Sequence, residues 1–150
     1  MIKKIFALVR FYWLKLKPNV EQSPVTATQC EDLIKRFKHI KYSEVTDRYY
    51  VTADLKIIKS VAIIISKMLG KYVAEDHDCD NYAMEFKAIA QRLFPRLPIA
   101  YCHVVKHNNT KHALNMVVYI NNIGKPSLTY IEPQTGEVVF FAYEPYMVLL

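Results

Sequence analysis

The chain has 150 residues, a net charge of +6 and 52% hydrophobic residues. That is long enough for one domain with its own core and too apolar for a disordered chain. The charge is uneven: Lys3, Lys4, Arg10, Lys15 and Lys17 fall in an N-terminal stretch without a single acid, so the bias describes that end and not the ligand of the rest. The cysteines Cys30, Cys79 and Cys102 are odd in number and irregularly spaced. This speaks against a disulfide framework and for a reducing, cytoplasmic compartment.

Residues 2–16 read as a basic amphipathic helix, with Ile2, Ile5, Val9, Tyr12 and Leu16 on one face and the cations opposite. Such a helix either lies on a membrane surface, making the protein peripheral, or packs against the domain or a partner protein. Arg10 interrupts the apolar run of a signal peptide, and the segment is too short and too charged to span a bilayer. Residues 18–27 carry Pro18, Ser23 and Pro24 and read as a linker. The domain proper is then 28–150.

Thr28 and Glu31 have the spacing of a capping box, and Cys30, Leu33, Ile34 and Phe37 give the helix behind them a buried face. Residues 42–51 read as an extended approach. Thr52 is the expected cap of a second helix, with Leu55, Ile58, Ala62 and Ile65 at helical spacing and Gly70 as its stop. Its run Val61 to Ile65 is apolar all round, which predicts burial on most sides.

The acidic stretch Glu75-Asp76-His77-Asp78-Cys79-Asp80-Asn81 comes next. Behind it Tyr82, Phe86, Ile89, Ala90 and Leu93 mark one face of a third helix, stopped by Pro95. Asp78 is the expected N-cap, which puts Cys79 at the positive end of the helix, where a thiolate is favoured. Strands are predicted over 99–105, 112–120, 127–131 and 137–142, and the short connections favour antiparallel neighbours. The expected fold class is α+β, helices first and then a four-stranded antiparallel sheet.

A helix-borne Cys79, a strand-borne His112 and a strand-end Glu132 supply the residue types of a nucleophile, a base and an orienting carboxylate. A small buried cysteine, a surface histidine and a turn glutamate are the bland readings of the same three residues. Glu75, Asp76, Asp78 and Asp80 are the candidate ligands of a calcium ion, since hard cations take clustered carboxylates, although the loop is not an EF-hand. Zinc held by His77, Cys79, Cys102, His103 or His107 matches no standard spacing. The site is acidic, so nucleic acid is a poor fit.

The segments Asp78-Cys79-Asp80-Asn81-Tyr82-Ala83, His112-Ala113 and Glu132-Pro133-Gln134 together resemble the papain-like and transglutaminase-like cysteine peptidases. Within these the chain is most similar to the C-terminal protease domain of the mushroom agglutinin group and to small phage and bacterial proteins. The resemblance covers roughly 49–141. It implies a papain-like fold and a thiol protease acting on a peptide or protein substrate, with Cys79 as nucleophile, His112 as general base and Glu132 orienting the imidazole. Asn81, Lys111 and Glu132 depart from the Asp, Gly and Asp of many relatives. The expected function is amide hydrolysis through an acyl-enzyme without an obligatory cofactor, or transamidation or deamidation on the same triad. The reading from another class is a non-catalytic binding module, stabilised by calcium.

Overall fold

The computed structural model describes residues 23–70, 73, 78–140 and 144–150. The predicted helix over 2–16, the first part of the predicted linker, and Glu75, Asp76 and His77 lie outside the described residues. In chain order the described elements are β1 (Ser23–Thr26), α1 (Ala27–Ile34), β2 (Tyr42–Glu44), β3 (Tyr49–Thr52), α2 (Leu55–Ser66), α3 (Cys79–Leu93), β4 (Ile99–Val105), β5 (Lys111–Ile120), β6 (Pro126–Glu132), β7 (Glu137–Val139) and β8 (Glu144–Leu149).

The helices start where short polar side chains can take up free N–H groups. Thr26 and Gln29 form the capping box of α1, two residues earlier than Thr28 and Glu31 suggested. Asp54 caps α2 by accepting from the Ile57 N–H at 2.9 Å. Thr52, the expected cap, belongs instead to β3, and its hydroxyl donates to the Val118 carbonyl at 2.6 Å. Asp78 caps α3. The outward side of α2 is not covered as its all-round apolarity suggested: Ile58, Ala62 and Ile65 are buried, while Ile63 and Ile64 are exposed.

The main sheet has six strands in the order β2-β8-β4-β5-β6-β7, and β1 pairs with β3 in a second, two-stranded sheet. From β8 through β4, β5 and β6 to β7 the pairings of the main sheet are antiparallel, but β2 lies parallel to β8. This corrects the expected α+β arrangement of helices first and a four-stranded antiparallel sheet. The chain is mostly β, the sheet is mixed, and strands precede and separate the helices. The reason is length. β1, β2 and β3 are three or four residues each, too short for an alternating pattern to stand out. β8 carries Pro145, which argues against an interior strand. The chain accommodates it at a break in register, where His103 pairs with Met147 and Val104 with Pro145, leaving Tyr146 as the extra residue.

Period-two alternation divides the sheet's contacts into two cores. Ala100, Cys102, Val104, Leu114, Met116, Val118, Tyr130 and Val148 face α1 and the β1–β3 pair. Ile99, Val117 and Ile131 face α2 and α3. Ala113 and Tyr101 pack against Ala83 and Cys79 at the start of α3. The sheet is therefore covered on both faces, and α3 is set so that its first turn meets the ends of β4 and β5.

Candidate functional site

Asp78 Oδ1 accepts from the Asp80 N–H at 3.2 Å, which fixes the first turn of α3 and makes Cys79 its first residue. Asn115, buried on β5, holds the helix to the sheet: its Nδ2 donates to the Ala83 carbonyl at 2.9 Å and to the Ala100 carbonyl at 3.1 Å. Lys87 adds a second tie, donating to the Leu149 carbonyl at 2.7 Å. These contacts place the cysteine beside β5.

His112 and Glu132 are brought together. The β5–β6 pairing ends at Asn115 opposite Ile131, and beyond it the Glu132 carboxylate reaches back along β5. His112 Nε2 lies 2.7 Å from Glu132 Oε2, with the two side chains 10% and 22% exposed. The shielding strengthens this hydrogen bond relative to one in open water. The Gln134 N–H donates to the other carboxylate oxygen at 3.5 Å, and the Thr135 and Gly136 N–H groups hold the Glu132 carbonyl. The turn after β6 thus fixes the acid from both its side chain and its backbone.

The thiol is in a different state from the one its helix position suggested. Burial pushes the Cys79 pKa up, the Ala113 N–H pulls it down, and the carboxylates of Asp80 and Asp78 push it up again, with a net rise. Cys79 Sγ donates to Asp80 Oδ1 at 3.6 Å. Among the described residues no hydrogen bond joins Sγ to the His112 ring. Burial first, and the flanking acids after it, outweigh the Ala113 N–H, so the group is a neutral donor near neutrality. Iodoacetamide labelling followed by mass spectrometry is accordingly expected to modify Cys79 slowly at neutral pH, and faster only in more alkaline solution than an ordinary thiol needs. Cys30, fully buried with its pKa pushed up to about 11 by burial, is expected to lag behind it at every pH. Rapid labelling of Cys79 at pH 6 would contradict this thiol state.

Three residues of the site were not singled out as a group by sequence. Tyr101 and His103, two apart on β4, and Tyr146, the bulged residue of β8, form a polar cluster next to Asp80. The Tyr101 hydroxyl and His103 Nε2 are in hydrogen-bond contact. His103 Nδ1 lies 2.9 Å from the Tyr146 hydroxyl, and His103 Nε2 lies 3.8 Å from Asp80 Oδ1. The spacing of Tyr101 and His103 is the only signal the sequence carried, because the bulge that adds Tyr146 depends on pairing with a distant strand.

Among the described residues no group of three or more His, Cys, Asp and Glu side chains gathers where a metal would sit. Cys79, Cys102, His103 and His107 therefore do not form a zinc site. Of the four acids considered for calcium, Asp78 and Asp80 are engaged at the helix start as described. Among the described residues no helix is long and apolar enough to cross a membrane.

No family model and no curated protein matches this chain. Solved structures do. The PSL1a-E64 complex aligns over 85% of this chain and 51% of its own, with a TM-score of 0.70 and 21% identity. Polyporus squamosus lectin bound to the human-type influenza-binding epitope Neu5Aca2-6Galb1-4GlcNAc aligns over 85% of this chain and 49% of its own, with a TM-score of 0.68 and 21% identity. The chain thus spans about half the length of each. The assignment to papain-like or transglutaminase-like cysteine peptidases, and the description as a hydrolase or thiol protease that came with it, is corrected on these findings: one of the two similar structures is named a lectin and neither is named a peptidase. At this identity the likeness is one of fold.

Proposed function

We propose that this chain is a non-catalytic binding module that holds its ligand at the start of α3 and the adjoining ends of β5 and β6. The observation that supports this reading best is the His112–Glu132 pair beside a thiol kept in its neutral form. These groups are positioned donors and acceptors, held by the turn after β6 and by the Asp78 cap, and they suit a ligand rich in hydroxyl or amide groups. Cys79, His112 and Glu132 are its contact residues, with Asp80 at the rim. Calcium at Asp78 and Asp80, with Glu75 and Asp76 completing the ligand set, would stabilise the same rim without taking part in any reaction.

The test is a binding screen of the full chain by biolayer interferometry, against a panel of glycans that includes the sialylated epitope of the lectin above and against a peptide panel, with and without calcium. Saturable binding is expected, weakened about tenfold or more by His112→Ala and by Glu132→Gln, because each removes a hydrogen bond to a charged or shielded partner. Binding that neither substitution changes would place the ligand elsewhere. Peptide fragmentation during the screen, abolished by Cys79→Ala, would overturn the non-catalytic reading.

A further inference from the structure

A cavity of about 350 Å³ opens at the end of the main sheet, lined by His39, Lys41, Val105, Lys111, Glu144 and Tyr146. Four separate pieces of chain build it. His39 and Lys41 come from the segment between α1 and β2, Val105 ends β4, Lys111 starts β5, and Glu144 and Tyr146 start β8. The walls are fixed by backbone pairing: the Lys41 N–H donates to the Tyr146 carbonyl at 2.9 Å, and Val105 pairs with both Lys111 and Glu144.

The floor and the rim differ in chemistry. Val105 and Tyr146 are half-buried and present apolar surface, whereas His39, Lys41, Lys111 and Glu144 are exposed. Two ammonium groups and one carboxylate line the rim. None of the ion pairs found among the described residues involves Lys41 or Lys111, so neither is neutralised by a described carboxylate within 4.0 Å. Lys38 and Lys106 flank the rim in sequence and add to the positive field, which a concave site concentrates.

We propose that this cavity binds a small organic anion, with its oxyanion group between Lys41 and Lys111 and a short apolar body against Val105 and the Tyr146 ring. The volume lies at the small end of ligand sites, which suits one ring or a short chain and not a polymer. The cavity shares Tyr146 with the polar cluster beside Asp80 but includes neither His112 nor Glu132, and it stands whether or not those bind anything.

The experiment is a titration of the isotopically labelled full chain followed by amide chemical shifts, with phenyl phosphate as probe and inorganic phosphate and benzyl alcohol as controls. Phenyl phosphate is expected to give saturable shifts at Lys41, Val105, Lys111 and Tyr146 in the millimolar range, as befits a ligand of about ten non-hydrogen atoms. Each control is expected to bind at least about tenfold more weakly, since each supplies half of the interaction. The double variant Lys41→Gln, Lys111→Gln, both at exposed positions, is expected to keep a dispersed spectrum and lose about tenfold in affinity, while Lys59→Gln on α2 changes nothing. Unsaturated shifts spread over all lysines would overturn the proposal. So would equal binding of inorganic phosphate, or an undiminished response in the double variant.

Discussion

Phe86→Ala is expected to lower the stability of the fold by about 3–5 kcal/mol, the range for removing a buried aromatic side chain. Phe86 is 1% exposed at the middle of α3. It belongs to the cluster that contains Ile58, Ala62 and Ile65 of α2, Ile99 of β4, Val117 of β5 and Ile131 of β6, so its loss leaves a gap in the cluster shared by the helices and the sheet. The helices on either side cannot both close on the gap, because Asn115 and Lys87 tie α3 to the sheet. Against a total of about 5–15 kcal/mol for a domain of this kind, such a loss is a large share. A urea titration followed by tyrosine or tryptophan fluorescence reads it directly. Phe86→Leu, which keeps most of the volume, should cost clearly less, and a loss under about 1 kcal/mol for the alanine variant would show that the site collapses freely.

Gly136→Ala is expected to cost about 2–4 kcal/mol, from a backbone conformation that side chains avoid plus overpacking against fixed atoms. Its φ is +73°, and a Cβ there would meet the Ala62 carbonyl oxygen at 2.7 Å, Ser66 Oγ at 2.7 Å and Ile63 Cα at 2.8 Å. Two of these atoms are backbone of α2, so the turn after β6 must back away from the helix. Gly124 is the built-in control. It has the same φ of +73°, and a Cβ added there would have nothing within 4 Å, so Gly124→Ala should show only the conformational cost, about 1 kcal/mol. Equal losses at the two positions would refute the packing argument. The Gly136 variant should also disturb the site, since the Gly136 N–H donates to the Glu132 carbonyl at 2.8 Å. The His112 ring resonances are the measurement for that effect.

Much of the interior was written in local patterns. Tyr82, Phe86, Ala90 and Leu93 are buried on α3 at the spacing read from sequence, and the apolar runs read as strands 99–105 and 112–120 are buried over most of their length. The order of elements was not legible, because it turns on strands that owe their existence to partners far away. Tyr42-Ser43-Glu44 has no exclusively strand-like pattern and every one of its residues is exposed; it extends because β8 offers it an edge. At the site, the positions of Cys79, His112 and Glu132 followed from the helix start and the strand ends. The thiol's state did not. Asp78 and Asp80 were visible as neighbours in sequence, but whether they would face the sulfur depended on the cap geometry and on where α3 meets β5. The family resemblance rested on three short segments, which record residue types and not the surroundings that the fold gives them.

The placement of β8 bears on how this protein is made. It is the last of the described strands in sequence, yet it lies between β2 and β4 in the sheet, and Thr46 donates to the Leu150 carbonyl across 104 positions of sequence. On a ribosome, β2 would leave the tunnel long before its partner exists and would wait as an unpaired edge. Pairings between such distant segments are slow to form and expose apolar surface until they do. Synthesis pausing before residue 144 would therefore leave β2 unpaired and one edge of β4 open, while β4, β5, β6 and β7 can already pair.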